Sequence, residues 1–140
     1  IYKVNLKGPI LLTKEISKKM IKKRRGKIIN ISSIFGVVGR PGRSLYSATK
    51  FGLNGLTKSS ALDLAKYNIL VNSVSPGVIN AGLTKKVLGA KEIKKIKKEI
   101  PLSRLGESSA VSNLICFLCS DLNTYITGQN FVIDGGYTSK

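Results

Sequence analysis

A tyrosine and a lysine four residues apart are the side chains in this sequence that are best suited to chemistry. Tyr46 and Lys50 bound the segment Tyr-Ser-Ala-Thr-Lys, and the apolar residues after it recur at helical spacing. Residues i and i+4 of a helix share one face, so we expect the ammonium and the phenol to lie close together. A nearby positive charge favours a phenolate, and such a group can exchange protons near neutral pH. The pair therefore indicates proton-transfer chemistry.

Ser33 is the next candidate, because it follows a short β-branched strand that ends at Ile31. Pro76 and Gly77 follow a second strand in the same way. Ligands of open α/β sheets bind beyond the carboxyl ends of the strands, so we expect these residues and Tyr46 in one crevice. Ser33 can donate a hydrogen bond to a substrate oxygen there. The chain contains no histidine, which excludes a Ser-His-Asp hydrolase.

Each of these features also has a purely structural interpretation. A tyrosine and a lysine at this spacing often form a surface pair, and Ser32 with Ser33 can cap a turn after a strand. Asn5 taken alone can be a surface residue or a polar group at a helix end. The combination of Ser33, Tyr46 and the Pro-Gly pair after the next strand nevertheless favours a catalytic site.

The hydrophobic pattern alternates between helical and strand-like segments. Helices are predicted for about 6–23, 45–66, 85–98 and 107–120, and strands for about 27–31, 69–74 and 131–133. Apolar strands separated by helices are typical of parallel β-α-β units with helices on both faces of the sheet. We therefore predict a single α/β domain over residues 1–140.

The first predicted strand, 27–31, would have an unpaired edge in a sheet of three strands. The chain also opens at Ile1 without a methionine, a helix cap or the features of a signal peptide. We therefore expect a partial domain, the carboxyl-terminal part of a longer protein whose further strands precede residue 1.

The net charge of +17 would suit a nucleic-acid partner. The basic residues cluster at positions 18–27 and 85–98, and the second cluster carries a stripe of Ile93, Ile96 and Ile100. Neither cluster comes with a recognition motif or with interleaved aromatic residues for base stacking. Two solvated lysine-rich surfaces are the favoured interpretation, and no nucleic-acid partner is expected.

Cys116 and Cys119 form a C-x-x-C pair in an apolar stretch. A structural zinc needs four ligands, and the chain has neither a histidine nor a second cysteine pair, so no metal is expected. The apolar surroundings favour two buried thiols over a redox pair. The lack of a disulfide framework fits a reducing cytoplasm. No apolar run of about 18 residues occurs, so no membrane-spanning helix is expected.

Five segments together resemble the short-chain dehydrogenase/reductase family over nearly all of the chain. They are V-N-L-K-G (Val4–Gly8), N-I-S-S (Asn30–Ser33), Y-S-A-T-K (Tyr46–Lys50), V-N-S-V-S-P-G (Val71–Gly77) and I-T-G-Q-N-F-V-I-D-G-G (Ile126–Gly136). The resemblance implies a Rossmann-like doubly wound parallel sheet. It also implies an oxidoreductase that uses NADP or NAD to interconvert a carbonyl and an alcohol.

By this resemblance, four residues would form the catalytic set. Asn5 would hold a water in a proton relay, Ser33 would polarise the substrate carbonyl, and Tyr46 would be the acid and base. Lys50 would stabilise the phenolate of Tyr46 and bind the nicotinamide ribose, so both side chains would also contact the cofactor. The loop that would flank the nicotinamide consists of Pro76, Gly77, Val78 and Ile79.

Two departures from the family pattern concern the cofactor. The Gly-rich turn T-G-x-x-x-G-x-G and the N-N-A-G segment do not occur in residues 1–140, so the chain by itself is expected to be inactive. Family members usually carry threonine where this chain has Ala81, and Thr84 lies nearby but out of register. The residues that distinguish NAD from NADP are not in this part of the sequence.

The segment P-L-S-R-L-G (Pro101–Gly106) is similar to that of 3-oxoacyl-carrier-protein reductases of fatty acid biosynthesis. Carrier proteins are acidic, so basic surfaces near the site would suit a carrier-protein-bound substrate. The same signature occurs in reductases of sugar intermediates and of small alcohols, which is the alternative. A non-catalytic fragment or binding module is the alternative of another class. The resemblance also implies a homotetramer or a dimer, with residues 111–118 and the strand at Phe131 as candidate contacts.

Overall fold

The computed structural model describes residues 1–139, except for the side chains of residues 83, 85 and 87. Lys85, which opens the second basic cluster, therefore has a side chain outside the described part. The elements are a π-helical turn (Lys3–Lys7), α1 (Gly8–Lys23), β1 (Gly26–Ile31), a 3-10 turn (Ile34–Gly36), α2 (Ser44–Ala65), β2 (Ile69–Pro76), α3 (Gly82–Val87), α4 (Ala90–Glu99), α5 (Ser108–Cys119) and β3 (Asn130–Ile133).

The three strands form one parallel sheet in the order β1-β2-β3. Ile28 of β1 lies opposite Val71 of β2, and Val74 of β2 lies opposite Phe131 of β3. The central strand β2 is almost continuously buried, as its apolar sequence predicts. Within residues 1–139, the outer edge of β1 pairs with no strand and faces a cavity that α1 borders. The parallel α/β sheet expected from the sequence is confirmed.

One face of α2 packs against the sheet and forms the main core. Ala61 and Leu64 of this helix cluster with Ile69 and Val71 of β2, and both β2 residues are 0% exposed. An apolar stripe of this kind fixes the rotation of a helix about its axis. Because α2 is 22 residues long, its carboxyl-terminal half anchors the amino-terminal turns that carry Tyr46.

A second buried cluster joins Ile96 and Ile100 to Leu105. The isoleucine stripe predicted for the basic helix is therefore confirmed. The prediction of one helix over 85–98 is wrong, because α3 and α4 are separate. Leu88 and Gly89 between them are extended, and glycine disfavours the interior of a helix.

The prediction of two buried thiols is also wrong, since Cys116 and Cys119 are both exposed. Leu118 is the α5 residue that points into the sheet, at 0% exposure. Neighbouring positions of a helix differ by about 100°, so both cysteines turn away from that contact. The apolar sequence of α5 hides this difference, because Phe117 is apolar too and yet is 39% exposed. Among residues 1–139, no three histidine, cysteine or acidic side chains gather as metal ligands.

The basic clusters lie at the surface, as the solvated-surface interpretation predicts. Lys18 and Lys22 of α1 are exposed, and so are Lys94 and Lys98 of α4. Lys18 forms a salt bridge of 2.8 Å with Glu15 one turn earlier, and both side chains remain largely in solvent. In the part of the chain that the structure describes, no helix has the length and apolar character needed to cross a bilayer.

Candidate active site

Tyr46 and Lys50 lie one turn apart at the amino-terminal end of α2. Lys50 Nζ is 5.7 Å from the centroid of the Tyr46 ring, so the two side chains share a face as their spacing predicts. The ammonium donates a hydrogen bond of 2.8 Å to the carbonyl oxygen of Ile31 at the end of β1. Burial lowers the pKa of Lys50 below its ordinary value of 10.5. The end of β1 therefore holds the ammonium beside the phenol.

Ser33 follows β1 and is 8% exposed. Its Oγ accepts a hydrogen bond of 3.2 Å from the backbone N–H of Phe35, which caps the 3-10 turn. That contact leaves the hydroxyl proton of Ser33 available for donation to a ligand. Ser33 and Tyr46 line the same cavity. The turn-capping role considered for Ser33 is thus present together with a placement suited to catalysis.

The shared cavity has a volume of 320 Å³ and is called the Ser33–Tyr46 pocket below. It is lined by Ser33, Phe35, Arg43, Tyr46, Gly77, Val78, Thr84 and Leu88. These residues come from the segment between β1 and α2, the start of α2, the loop after β2 and the α3 region. The pocket therefore lies at the carboxyl ends of β1 and β2, where the sequence predicts the crevice.

The loop after β2 contributes Gly77 and Val78 to the pocket, whereas Pro76 and Ile79 are not among its lining residues. Ile79 instead forms a parallel bridge with Gly106. A Cβ on Gly106 would lie 2.8 Å from Ile79 Cδ1, so a larger residue there would push the end of the Ile79 side chain aside. The N–H of Gly106 donates to the carbonyl of Val78 at 3.0 Å. Gly106 thus holds the loop in place from outside the pocket.

The turn at Asp134 supports the same loop from its other side. A Cβ on Gly77 would lie 2.9 Å from the Cα of Asp134, so the two backbones can approach only because residue 77 is glycine. The Asp134 carboxylate accepts hydrogen bonds from the N–H of Gly136 (2.9 Å), the N–H of Thr138 (2.8 Å) and the Thr138 hydroxyl (2.7 Å). Partial burial tends to raise the pKa of Asp134, but these hydrogen bonds outweigh it and lower the pKa below 3.8.

Asn5 lies in the π-helical turn that precedes α1. The N–H of Gly8 bonds to the carbonyl of Lys3, and such widened turns often occur at functional sites. Asn5 and Lys50 line a cavity of 780 Å³ along the open edge of β1, and neither lines the Ser33–Tyr46 pocket. The structure therefore groups Asn5 with Lys50, and Ser33 with Tyr46. Lys50 connects the groups through its position beside the Tyr46 ring.

The threonine position noted in the sequence has a definite place in the structure. Ala81 precedes α3 in an extended conformation, and its N–H donates to the carbonyl of Ile79 at 2.9 Å. Thr84 lies in the first turn of α3 and lines the pocket, whereas Ala81 does not. Of the two residues Ala81 and Thr84, the pocket therefore contains Thr84, whose position in the sequence is out of register with the threonine of the family pattern.

Three pocket residues, Phe35, Arg43 and Leu88, were not identified from the sequence. Phe35 packs edge-on against Tyr46, with ring centroids 6.4 Å apart and planes at 74°. Arg43 precedes Tyr46 by one helical turn, a spacing that could have revealed it. Phe35 follows no periodic pattern. The guanidinium of Arg40 stacks on Phe35 at 5.5 Å and binds Glu92 of α4 at 3.3 Å, a contact between residues that are distant in sequence.

The donor set fits the nicotinamide end of a dinucleotide. Lys50 uses one of its three protons on Ile31, which leaves two for ribose hydroxyls. Gly77 and Val78 place backbone rather than bulky side chains in the pocket that Tyr46 also lines. A ring held beside that loop would therefore share the pocket with the hydroxyl groups of Ser33 and Tyr46.

Comparisons with known sequences agree on one family. The profile of the family described as "Enoyl-(Acyl carrier protein) reductase" matches residues 1–138. The chain is 48% identical over 136 residues to the 3-oxoacyl-[acyl-carrier-protein] reductase FabG of Aquifex aeolicus (strain VF5), covering 97% of this chain and 54% of that protein. It is 41% identical to the nodulation protein G of Rhizobium meliloti (strain 1021), covering 97% of this chain and 55% of that protein. The chain thus spans about half the length of these curated relatives.

Solved structures give the same result for the fold. A 4-hydroxyisoleucine dehydrogenase complexed with NADH is 39% identical and superposes with a TM-score of 0.95, covering 100% of this chain and 58% of that one. A gluconate 5-dehydrogenase of Burkholderia cenocepacia J2315, in complex with NADP and tartrate, is 33% identical with a TM-score of 0.95. The match covers 100% of this chain and 55% of that one. The predicted Rossmann-like fold is confirmed.

Proposed function

We propose that the intact protein is an NAD(P)-dependent oxidoreductase that interconverts a carbonyl and an alcohol, because this chain belongs to the short-chain dehydrogenase/reductase family. The observation that carries the proposal is the pocket shared by Ser33 and Tyr46, with the Lys50 ammonium 5.7 Å from the Tyr46 ring. Similar chains have been solved with NADP or NADH bound, which supports a nicotinamide cofactor of either kind.

Proton exchange is assigned to Tyr46. In the reducing direction, Ser33 donates a hydrogen bond to the substrate carbonyl oxygen, and the Tyr46 hydroxyl transfers its proton to that oxygen. The bound nicotinamide supplies the hydride that the carbonyl carbon receives. The Lys50 cation stabilises the phenolate that Tyr46 becomes. In the oxidising direction Tyr46 takes the alcohol proton.

The return of a proton to Tyr46 is assigned to the cavity that Lys50 shares with Asn5. We propose that Asn5 holds a water there, within reach of the Lys50 ammonium. A water in that cavity would lie outside the Ser33–Tyr46 pocket, because the two cavities share no lining residue, so proton supply and substrate binding would not compete for the same space. The π-helical turn supports this role, because it widens the helix at Asn5.

The first substrate class proposed is a 3-oxoacyl chain carried by an acyl carrier protein. Relatives at 48% and 45% identity bear the name of such a reductase. Phe35, Val78 and Leu88 give the pocket apolar walls that suit an acyl chain. The exposed lysines of α4 suit an acidic carrier. The alternative is reduction of a sugar intermediate, or of a small ketone to its alcohol, and the similarity to a gluconate 5-dehydrogenase supports it.

We propose a cytoplasmic homo-oligomer, a tetramer or a dimer. Within the described chain β3 is an edge strand, and its Val132 is 38% exposed. Phe117 of α5 is 39% exposed beside the free thiols of Cys116 and Cys119. A second copy that covered α5 and β3 would bury this apolar surface. Exposed thiols without disulfides suit a reducing compartment.

The test of this function uses the intact protein and follows oxidation of NADPH and of NADH with a 3-oxoacyl thioester as substrate. Ser33→Ala is expected to lower turnover by about 10²-fold, because it removes the hydrogen bond that polarises the carbonyl. Ser44→Ala, at an exposed serine that starts α2, is the matched control and is expected to keep wild-type turnover. Wild-type turnover in Ser33→Ala would contradict the proposal. Cofactor binding without turnover of thioesters, sugars or small ketones would favour a binding module.

A further inference from the structure

Arg43 is the charged residue among those that line the Ser33–Tyr46 pocket. It is exposed, and no salt bridge within residues 1–139 involves it. Arg40, three residues earlier, differs because Glu92 neutralises its guanidinium at 3.3 Å. Among the described residues, no salt bridge therefore neutralises the positive charge of Arg43 at the Ser33–Tyr46 pocket.

The start of α2 adds to this positive field. Arg43 is the residue before the helix, and no side chain caps the first turn. The N–H groups of an uncapped first turn and the aligned peptide dipoles attract negative charge. A helix end alone would attract anions without selecting them. Here a guanidinium lines the same pocket as the acid/base candidate Tyr46, so the attraction is directed at a ligand of that pocket.

The spacing limits where the negative group of a ligand can lie. Arg43 and Tyr46 are separated by about 4.5 Å along the helix axis. An anion held by Arg43 would therefore lie roughly 5–10 Å from a carbonyl oxygen held by Tyr46, allowing for the length of both side chains. The phosphate of a carrier-protein arm is separated from its thioester by two amide units and lies farther away than this. A carboxylate a few bonds from the carbonyl fits the distance.

We propose that Arg43 binds a substrate carboxylate and that the pocket takes free oxo acids. This inference rests on the carbonyl reduction proposed above and favours a free acid over the carrier-protein-bound substrate. A guanidinium pairs with a carboxylate through two parallel hydrogen bonds, which orients as well as attracts the substrate. The carbon chain between the two groups packs against Phe35, Val78 and Leu88. Hydride from the nicotinamide goes to the carbonyl carbon and the Tyr46 proton goes to its oxygen. The product is a hydroxy acid with its carboxylate unchanged.

The test measures kcat/KM of the intact protein for 4-oxopentanoate, for 5-oxohexanoate and for the methyl ester of each. The acids are expected to be better substrates than their esters by about tenfold or more. Arg43→Gln is expected to lower kcat/KM for the acids about ten- to hundredfold, mainly through KM, and for the esters less than about twofold. Arg25→Gln is the matched control, because Arg25 pairs with Asp121 far from the pocket. Equal losses on acids and esters, or no loss on the acids, would overturn the inference.

Binding of succinate to the intact protein with its cofactor, measured by calorimetry, gives a readout that does not depend on turnover. Arg43→Gln is expected to weaken it about tenfold or more, and Arg25→Gln to leave it unchanged. Succinate binding that depends on Arg43, without turnover of any carbonyl compound, would retain the carboxylate site and refute the proposed reaction. Turnover of the esters together with succinate binding that is indifferent to Arg43 would retain the reaction and refute the carboxylate site.

Discussion

The two walls of the Ser33–Tyr46 pocket are held in different ways. The first wall is α2, whose buried face rests on β2 through Ala61 and Leu64. The second wall is the α3–α4 segment, residues 82–99, in which Ile96 is the buried residue among the side chains described. α4 also carries exposed lysines along its solvent side. The wall that carries Tyr46 buries six side chains of α2, whereas α4 buries one, Ile96, in the cluster with Ile100 and Leu105.

We propose that this difference places the acid/base group on the rigid wall and leaves the choice of substrate to the facing wall. An acid/base group must keep its geometry within about half an ångström, which requires packing on a rigid element. A wall that meets the variable part of a substrate does not have that requirement, and regions with few buried contacts open locally at low free energy. The I-D-G-G segment (Ile133–Gly136) supports the loop after β2 and the residue that follows α4, because a Cβ on Gly77 would touch Asp134 and one on Gly135 would lie 2.8 Å from Ile100 Cγ2.

Matched cavities, one in each wall, give the strongest test of this difference between the walls. Leu53→Ala in α2 and Ile96→Ala in α4 each remove a side chain that is 2% or less exposed. Such a substitution lowers the free energy of unfolding by about 2–5 kcal/mol where the site unfolds together with the whole core. Leu53→Ala is expected to lower the global free energy of unfolding by that amount in urea denaturation. Ile96→Ala is expected to act locally, with faster hydrogen exchange over 82–99 and unchanged exchange in α2.

Equal losses of global stability in the Leu53→Ala and Ile96→Ala variants would mean that the two walls unfold as one unit. The distinction between them would then be wrong. Faster exchange of α2 amides in Ile96→Ala would lead to the same conclusion.

The turn at Asp134, which supports the loop after β2, is expected to weaken in acid. Hydrogen bonds hold the pKa of Asp134 below 3.8 in the folded protein, so its contribution to stability is present above 3.8 and is lost as pH falls through the lower, folded value. Asp134→Asn removes this contribution and is expected to cost about 1 kcal/mol near pH 6. Urea unfolding at several pH values should show the wild type and the variant converging in acid. Asp121→Asn, at an exposed carboxylate, is the control, and a constant difference between wild type and Asp134→Asn across pH would contradict this account.

The smallest effect is expected from the ion pair that ties α4 to the segment after β1. Glu92→Gln breaks the ion pair with Arg40. The pair contributes about 0.2–1 kcal/mol to the stability of this contact, since both side chains are partly in solvent. Tryptic cleavage at the lysines of α4 is therefore expected to accelerate about two- to fivefold. Glu15→Gln, which breaks the exposed pair with Lys18 on α1, should leave that rate unchanged. A Glu92→Gln rate equal to the wild type would show that the pair does not restrain α4.

Local pattern was enough to predict the parts of the fold that depend on neighbours in sequence. The strands, α2 and the placement of Tyr46 beside Lys50 follow from periodicity and helical spacing. The π-helical turn at Asn5 was not predicted, because one extra residue in a helix leaves no periodic signal. The exposure of Cys116 was not predicted for a different reason. α5 is apolar on more than one face, and periodicity does not show which of these faces packs against the sheet.

The parts of the site that were missed depend on contacts between distant segments. Arg40 contacts Glu92 only because the segment after β1 folds against α4. The sequence around either residue gives no sign of this contact. The support that Asp134 gives to Gly77 is of the same kind. Arg43 is the exception, because its position one turn before Tyr46 was visible in the sequence.

The central claim is that Tyr46 exchanges the proton in the Ser33–Tyr46 pocket. The most direct test is a single-turnover measurement of nicotinamide oxidation in the intact protein carrying Tyr46→Phe. This variant keeps the ring that packs edge-on against Phe35 and removes only the hydroxyl. The account predicts that the rate falls about 10²- to 10⁴-fold while the affinity for the cofactor changes less than about threefold. A rate close to that of the wild type would contradict it.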